Sequence, residues 1–81
     1  MQDEFQVMRS ISREIGLTSH QLGKLLQEDG LRDSDGSPSM QAMLDGWVAK
    51  YQLRCGKTAY KWHRSTVLAW WKKRNEAASR Q

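Results

Sequence analysis

The stretch that most constrains the fold is residues 11–26, which reads as two short helices joined at a glycine. Ile11 and Ile15 lie four residues apart and therefore share one face of a first helix. Gly16 follows at the position where a helix often ends in a left-handed residue. Leu17 then places an apolar side chain in the corner. The spacing predicts two helices that pack against each other across a tight turn.

The second helix of this corner is predicted over residues 19–29 and has two different faces. Thr18 and Gln21 have the spacing of a capping box, and Gly30 supplies a stop signal. The inward positions are apolar: Leu22, Leu25 and Leu26. The outward positions are polar and are the first candidate contact residues: Ser19, His20, Gln21, Lys24 and Gln27.

Three further helices are predicted, over about residues 4–15, 38–49 and 66–78. Ser37 and Pro38 suit the start of the third helix as cap and first-turn residue. Its apolar residues recur at helical spacing, which predicts a buried stripe: Met40, Met43, Leu44, Trp47 and Val48. Ser65 is the expected cap of the last helix.

From Ala49 onward the apolar period changes from helical to alternating, which predicts a β-hairpin over about residues 50–63. The interpretation assigns one apolar face to Tyr51, Leu53 and Cys55, and one polar face to Lys50, Gln52 and Arg54. Tyr60 and Trp62 alternate with Lys61 and His63 on the returning strand. The register stays open, because Ala59 fits either the turn or the strand.

Composition indicates one small domain over residues 1–81 with an uneven charge distribution. Residues 1–45 hold four Lys and Arg against eight acids, giving −4, whereas residues 46–81 hold nine against one, giving +8. This asymmetry favours an anionic partner for the C-terminal half. A single cysteine allows no intramolecular disulfide, and there is no apolar run of membrane-spanning length. We therefore expect a cytoplasmic protein.

Catalysis finds little support in the sequence. His20 and His63 lie on different predicted elements, and neither has a partner at a metal-ligand spacing. Cys55, on the apolar face of the predicted strand, is expected to be buried rather than nucleophilic. We therefore predict no enzyme activity, no catalytic residues, no metal and no cofactor.

Nucleic-acid binding is the function that the pattern favours. The two-helix corner, the order of the elements and the basic hairpin all point towards it. The residues expected to meet phosphates are Arg54, Lys57, Lys61 and Arg64. An ordinary helical hairpin and a solvated basic face are the simpler interpretations of the same features.

The corner resembles winged-helix or helix-turn-helix DNA-binding domains of small phage, plasmid or bacterial regulators, above all the C-terminal domain of phage antirepressors. The segments that carry the resemblance are residues 14–18, 21–26 and 29–31. Such a domain is mainly α with a small hairpin: four helices plus a two-stranded antiparallel wing. The family implies base readout by Ser19, His20, Gln21, Lys24 and Gln27, and wing contacts by Arg54, Lys57 and Lys61. Gln21 could pair bidentately with adenine, and His20 could reach a guanine acceptor.

The sequence thus predicts sequence-specific binding of double-stranded DNA by a small transcriptional regulator, with a homodimer as one arrangement. Three departures stand against it. Ser12 stands where such corners commonly use alanine, an extra helix separates corner and hairpin, and the reading helix ends in the acids Glu28 and Asp29. The alternative is a protein–protein interaction module on the same fold, acting through the acidic N-terminal half or Trp70. The position of the C-terminal basic residues relative to the second helix distinguishes the two.

Overall fold

The computed structural model describes residues 4–79 and shows a mixed α/β fold with four helices and one three-stranded antiparallel sheet. The elements in chain order are β1 (Phe5–Gln6), α1 (Met8–Glu14), α2 (Ser19–Glu28), α3 (Met40–Leu44), β2 (Val48–Gln52), β3 (Thr58–His63) and α4 (Arg64–Ser79). The strand order is β1-β3-β2, so the sheet has one strand more than the expected two-stranded wing.

The added strand replaces the beginning of the helix predicted over residues 4–15. Phe5 and Gln6 pair with His63 and Trp62 of β3, and α1 begins only after Val7. Pairing with β3 gives the backbone N–H and C=O groups of β1 hydrogen-bond partners, which in a helix would come from the same segment. The apolar side chain of Phe5 therefore belongs to the sheet, where its ring contacts His63 edge to face at a centroid distance of 5.1 Å.

Glycines in the left-handed region end both helices of the corner and α3. Gly16 has a φ of 76°, and the N–H of Leu17 donates back to the carbonyl of Ser12 over 2.9 Å. This bond and the one from the Gly16 N–H form a Schellman motif. The expected stops at Gly16 and at the end of α2 are therefore confirmed, and the capping box at the start of α2 is present as predicted.

The helix predicted over residues 38–49 is wrong in length, because a third such motif ends it at Leu44. Gly46 has a φ of 80°, and the N–H of Trp47 donates to the carbonyl of Ala42 over 2.9 Å. Ser39 rather than Ser37 caps the helix, its hydroxyl accepting from the Ala42 N–H. Trp47 thus leaves the helix and packs against the core.

The predicted apolar stripe is buried only beyond the end of α3, where Trp47 and Val48 pack against the core, and its three residues within α3 are exposed. Met40 and Leu44 are 74% and 75% exposed, and Met43 is 37% exposed. Only Ala42 of this helix is fully enclosed. The helical period placed these residues on one face correctly, but that face points to solvent.

The hairpin forms, and the structure defines the pairing register of its two strands, which the sequence had left open. Tyr51 pairs with Ala59, and Val48 pairs with Trp62. Because side chains alternate between faces, Tyr51 shares the face of Lys61, opposite to that of Trp62. The expectation of one apolar face on both strands is therefore wrong. Cys55 is also not buried: it is exposed in the turn over residues 53–57.

The core lies where the corner, the base of the hairpin and α4 meet. Its fully buried side chains are Ile11, Leu22, Leu26, Trp62 and Val67. Leu25, expected inside, is only half-buried. Burying a large aromatic ring and four branched aliphatic side chains contributes about 1.5–3 kcal/mol for each. The hairpin is therefore anchored to the corner by its base, through Trp62.

The last helix begins at Arg64 rather than at Thr66. The side chain that accepts a hydrogen bond from its first turn is His63 and not the expected Ser65. The ring Nδ1 of His63 accepts from the Thr66 N–H over 3.3 Å and contacts the Thr66 hydroxyl at 2.7 Å. The hydroxyl of Ser65 instead donates to Glu4 over 2.6 Å. Val67 is buried and Leu68 packs on the core.

Candidate nucleic-acid interface

The outer face of α2 carries an exposed polar strip. His20, Lys24 and Gln27 are all exposed and follow one another at spacings of four and three residues, so they lie along one side of the helix. Leu22 and Leu26 hold the opposite side in the core at 1% and 0% exposure. Ser19, also a candidate, is half-buried at the first position of the helix. A rigid helix therefore presents a cation, an imidazole and an amide to solvent.

Gln21 is exposed, but its carboxamide oxygen is already engaged. This oxygen accepts from the Thr18 N–H over 3.0 Å, while the Gln21 N–H donates to the Thr18 hydroxyl over 3.1 Å. Bidentate recognition of adenine needs both the oxygen and the amino group of a glutamine. To contact a base in this way, Gln21 would have to break its hydrogen bond in the capping box. Its contribution to base recognition is therefore expected to be smaller than its exposure alone indicates.

The two acids that close α2 are held by α4. Arg74 donates to Asp29 over 2.7 Å and to Glu28 over 3.2 Å, and the indole N–H of Trp70 donates to Asp29 over 2.6 Å. The guanidinium of Arg74 also lies 5.9 Å from the centroid of the Trp70 ring. The negative charge at this end of the candidate reading helix is therefore partly balanced by a cation 45 residues further along the chain than Asp29.

The pKa of Asp29 reflects this contact. Partial burial acts to raise the pKa, but the hydrogen bonds from Arg74 and Trp70, together with the Arg74 charge, outweigh it and place the pKa below its ordinary value. Asp29 is consequently ionised and paired at neutral pH. The repulsion between phosphates and the acids of α2, expected from the sequence, is reduced accordingly.

Two of the expected phosphate contacts lie at the tip of the hairpin. Arg54 and Lys57 are exposed in the turn between β2 and β3. Gly56 has a φ of 89° and its N–H donates to the Leu53 carbonyl over 2.9 Å, while the Leu53 N–H donates to the Lys57 carbonyl. Four residues of β3 separate Lys57 from Trp62, which places the tip about 15 Å from the core.

The other two expected phosphate contacts already have partners within the protein. Arg64 forms an ion pair with Glu14 of α1, with distances of 2.8 Å from Nη2 and 3.0 Å from Nε. Hydrogen bonding to Glu14 and its charge raise the pKa of Arg64. The Nζ atom of Lys61 lies 5.2 Å from the centroid of the Tyr51 ring. Arg64 therefore joins α4 to α1 instead of presenting its charge to solvent alone.

The structure brings the basic C-terminal half towards α2 through α4 rather than through the hairpin. Arg74 contacts the end of α2 directly, and Lys73 lines the same cavity as Asp29. The hairpin and α2 share the hydrophobic core, to which Trp62 of β3 and Leu22 of α2 both belong. The sequence had offered no partner for Arg74; the spacing of four residues from Trp70 was the available signal that both side chains share one face of α4.

Within residues 4–79, no group of three or more His, Cys, Asp or Glu side chains is arranged to hold a metal ion. The same part of the chain contains no helix long and apolar enough to cross a membrane. Comparison of the chain with family models, with curated proteins and with solved structures finds no match.

Proposed function

We propose that this chain binds double-stranded DNA in a sequence-specific manner as a small transcriptional regulator of the winged-helix class. In this proposal α2 enters the major groove and the hairpin acts as the wing. The observation that carries it is the pairing of Glu28 and Asp29 with Arg74, which reduces the main electrostatic objection while His20, Lys24 and Gln27 stay exposed. A cytoplasmic location in a bacterial, phage or plasmid system belongs to the same proposal.

In this proposal the candidate contacts have different roles. His20, Lys24 and Gln27 face outward together and would reach base edges, where each well-formed contact contributes about 1–3 kcal/mol of discrimination. Arg54 and Lys57 would hold phosphates beside the groove, since both are exposed at the hairpin tip. Arg64 would act indirectly, by fixing α4 to α1 through Glu14.

The test is a fluorescence anisotropy titration of the whole chain, first with mixed-sequence duplexes to select a preferred site and then with that site across a salt series. Wild-type affinity should fall steeply with salt, because phosphate binding releases counterions. Absence of binding at low salt, or binding indifferent to salt, would contradict the proposal.

Variants separate base reading from phosphate binding. Gln27→Ala should reduce the preference for the selected site over mixed sequence, whereas Lys57→Ala should weaken binding to both alike and lower the salt slope by about one. Lys72→Ala removes an equal charge from α4 and is the matched control. If Lys72→Ala weakens binding and Lys57→Ala does not, the phosphates are held by the last helix instead of the wing.

A second candidate function, a protein-interaction module, is favoured by the exposed apolar side chains of α3. Met40 and Leu44 present a surface that monomeric proteins usually cover. The DNA titration distinguishes the two functions, because an interaction module would show no preferred duplex.

A further inference from the structure

Two apolar features of this protein have no partner within the described chain, and they differ in charge. The first is the exposed face of α3, formed by Met40 and Leu44 with Met43 at its side. The second is a groove along α4 with a volume of about 520 Å³, lined by Trp47, Ser65, Thr66, Ala69, Trp70 and Lys73. We call these the α3 patch and the α4 groove.

The α3 patch lies in an acidic segment. Residues 33–45 contain Asp33, Asp35 and Asp45 and no lysine, arginine or histidine. Asp45 follows directly after Leu44, is exposed and accepts a hydrogen bond from Gln41 over 3.0 Å. The patch therefore combines projecting apolar side chains with a carboxylate beside them.

The α4 groove has the opposite character. Its lining includes two half-buried tryptophans, Trp47 and Trp70, and its single charged lining residue is Lys73. A second cavity of about 310 Å³ shares Trp70 and Lys73 with it, and there Asp29 is neutralised by Arg74. An occupant of this groove would be apolar with an adjoining negative charge, which is the character of the α3 patch.

We propose that the α3 patch of one copy of this chain docks in the α4 groove of a second copy, forming a symmetric dimer. Leu44 and Met40 pack on Trp47 and Trp70 of the partner copy, and Asp45 faces its Lys73. Charge complementarity between the acidic α3 segment and the cationic groove selects a second copy as the occupant. Aromatic side chains in a groove are also the usual centres of binding energy at such contacts.

The position of the two features along the chain favours a closed dimer over an open filament. Trp47 lies three residues after Leu44, and its N–H bonds to Ala42 of α3, so patch and groove adjoin on the same molecule. In an isologous interface each copy offers both halves, and residue i meets residue j twice about the twofold axis. The α3 patch and the α4 groove adjoin and are complementary, so each copy can offer both halves of such an interface.

The experiment measures the mass of the full chain by sedimentation equilibrium over a micromolar to millimolar concentration series, without DNA. The mass should rise from 9.4 kDa to twice that value and then stop. A mass that stays at one chain throughout, or grows beyond two, would overturn the proposal. Because no DNA is present, the result is independent of the proposed DNA-binding function.

Substitution tests the interface itself. Leu44→Arg should raise the dimer dissociation constant by at least about tenfold. Leu53→Arg, at another exposed apolar residue in the hairpin turn, is the matched control and should leave the constant unchanged. Equal effects of the two substitutions would show that the α3 patch is not the contact. Circular dichroism checks that each variant keeps its fold.

A charge exchange tests the pairing of Asp45 with Lys73 even if Leu44→Arg perturbs folding. Asp45→Lys and Lys73→Glu should each weaken the dimer, and the chain carrying both should recover it, because the pair is restored with reversed sign. Failure of the double variant to recover would contradict this orientation. Binding of an acidic peptide by a chain that stays monomeric would assign the groove to another protein.

Discussion

Replacing Asp29 by alanine is the sharpest test of how α4 supports the candidate reading helix. Asp29 accepts from the Trp70 indole over 2.6 Å and from Arg74 over 2.7 Å, and it lies at the C-terminal end of α2. Asp29→Ala removes the carboxylate that accepts both hydrogen bonds, and Arg74 keeps its ion pair with Glu28 at 3.2 Å and its contact with the Trp70 ring. We expect the protein to fold but to be less stable.

The magnitude follows from three contributions. The hydrogen bond from Trp70 to a charged acceptor stabilises by about 1.5 kcal/mol. The Asp29 and Arg74 side chains are 36% and 33% exposed. Their ion pair therefore adds only about 0.5 kcal/mol, as a partly exposed pair does. A carboxylate at a helix C-terminus opposes the helix dipole, and its removal returns about 0.5 kcal/mol. The expected net loss is about 1.5 kcal/mol, which lowers Tm by about 6–12 °C in a chain of this size.

The assay is thermal unfolding followed by circular dichroism at several pH values. Because the pKa of folded Asp29 is below its ordinary value of 3.8, its stabilising contribution is complete above that pH and is lost as the pH falls through the lower folded value. The difference between wild type and Asp29→Ala should therefore shrink in acid. Asp33→Ala, at an exposed aspartate of the loop after α2, is the control. Equal losses from the two substitutions, or a difference unchanged in acid, would refute the reasoning.

Two further substitutions test how the elements end and begin. Gly46→Ala should destabilise by about 1 kcal/mol in denaturant unfolding, because alanine is strained at a φ of 80°; unchanged stability would mean that α3 does not require this turn. His63→Ala should cost about 1 kcal/mol by removing the acceptor for the Thr66 N–H, while His63→Asn should retain much of it. Equal losses from alanine and asparagine would assign the role of His63 to packing against Phe5 instead.

Local hydrogen-bond chemistry made part of this fold predictable. The capping box of Thr18 and Gln21 and the glycine stops at residues 16 and 30 involve partners within five residues, so their spacing in the sequence is sufficient to identify them. The same signal was available at Gly46, since an apolar residue follows the glycine there as it does after Gly16 and Gly30. The continuous apolar period across Gly46 concealed it.

Pairing between distant segments could not be predicted in the same way. The strand β1 has only two residues and exists because β3 lies beside it. The faces of the hairpin depend on register, and a shift of one residue moves every side chain to the other face. For that reason Tyr51 came to lie opposite to Trp62 despite a correct prediction of the hairpin itself.

In the candidate site, too, local patterns were predictable from the sequence and contacts between distant segments were not. The sequence by itself determined the polar strip of α2, because helical spacing and burial of Leu22 and Leu26 place His20, Lys24 and Gln27 on the outer side. Only the tertiary structure decided which charges stay available, because the partners are far apart along the chain: Glu14 holds Arg64 from 50 residues away, and Arg74 reaches Asp29 across 45. Charge counts along a sequence cannot separate these paired cations from the exposed Arg54 and Lys57, since pairing depends on which helix ends the core brings together.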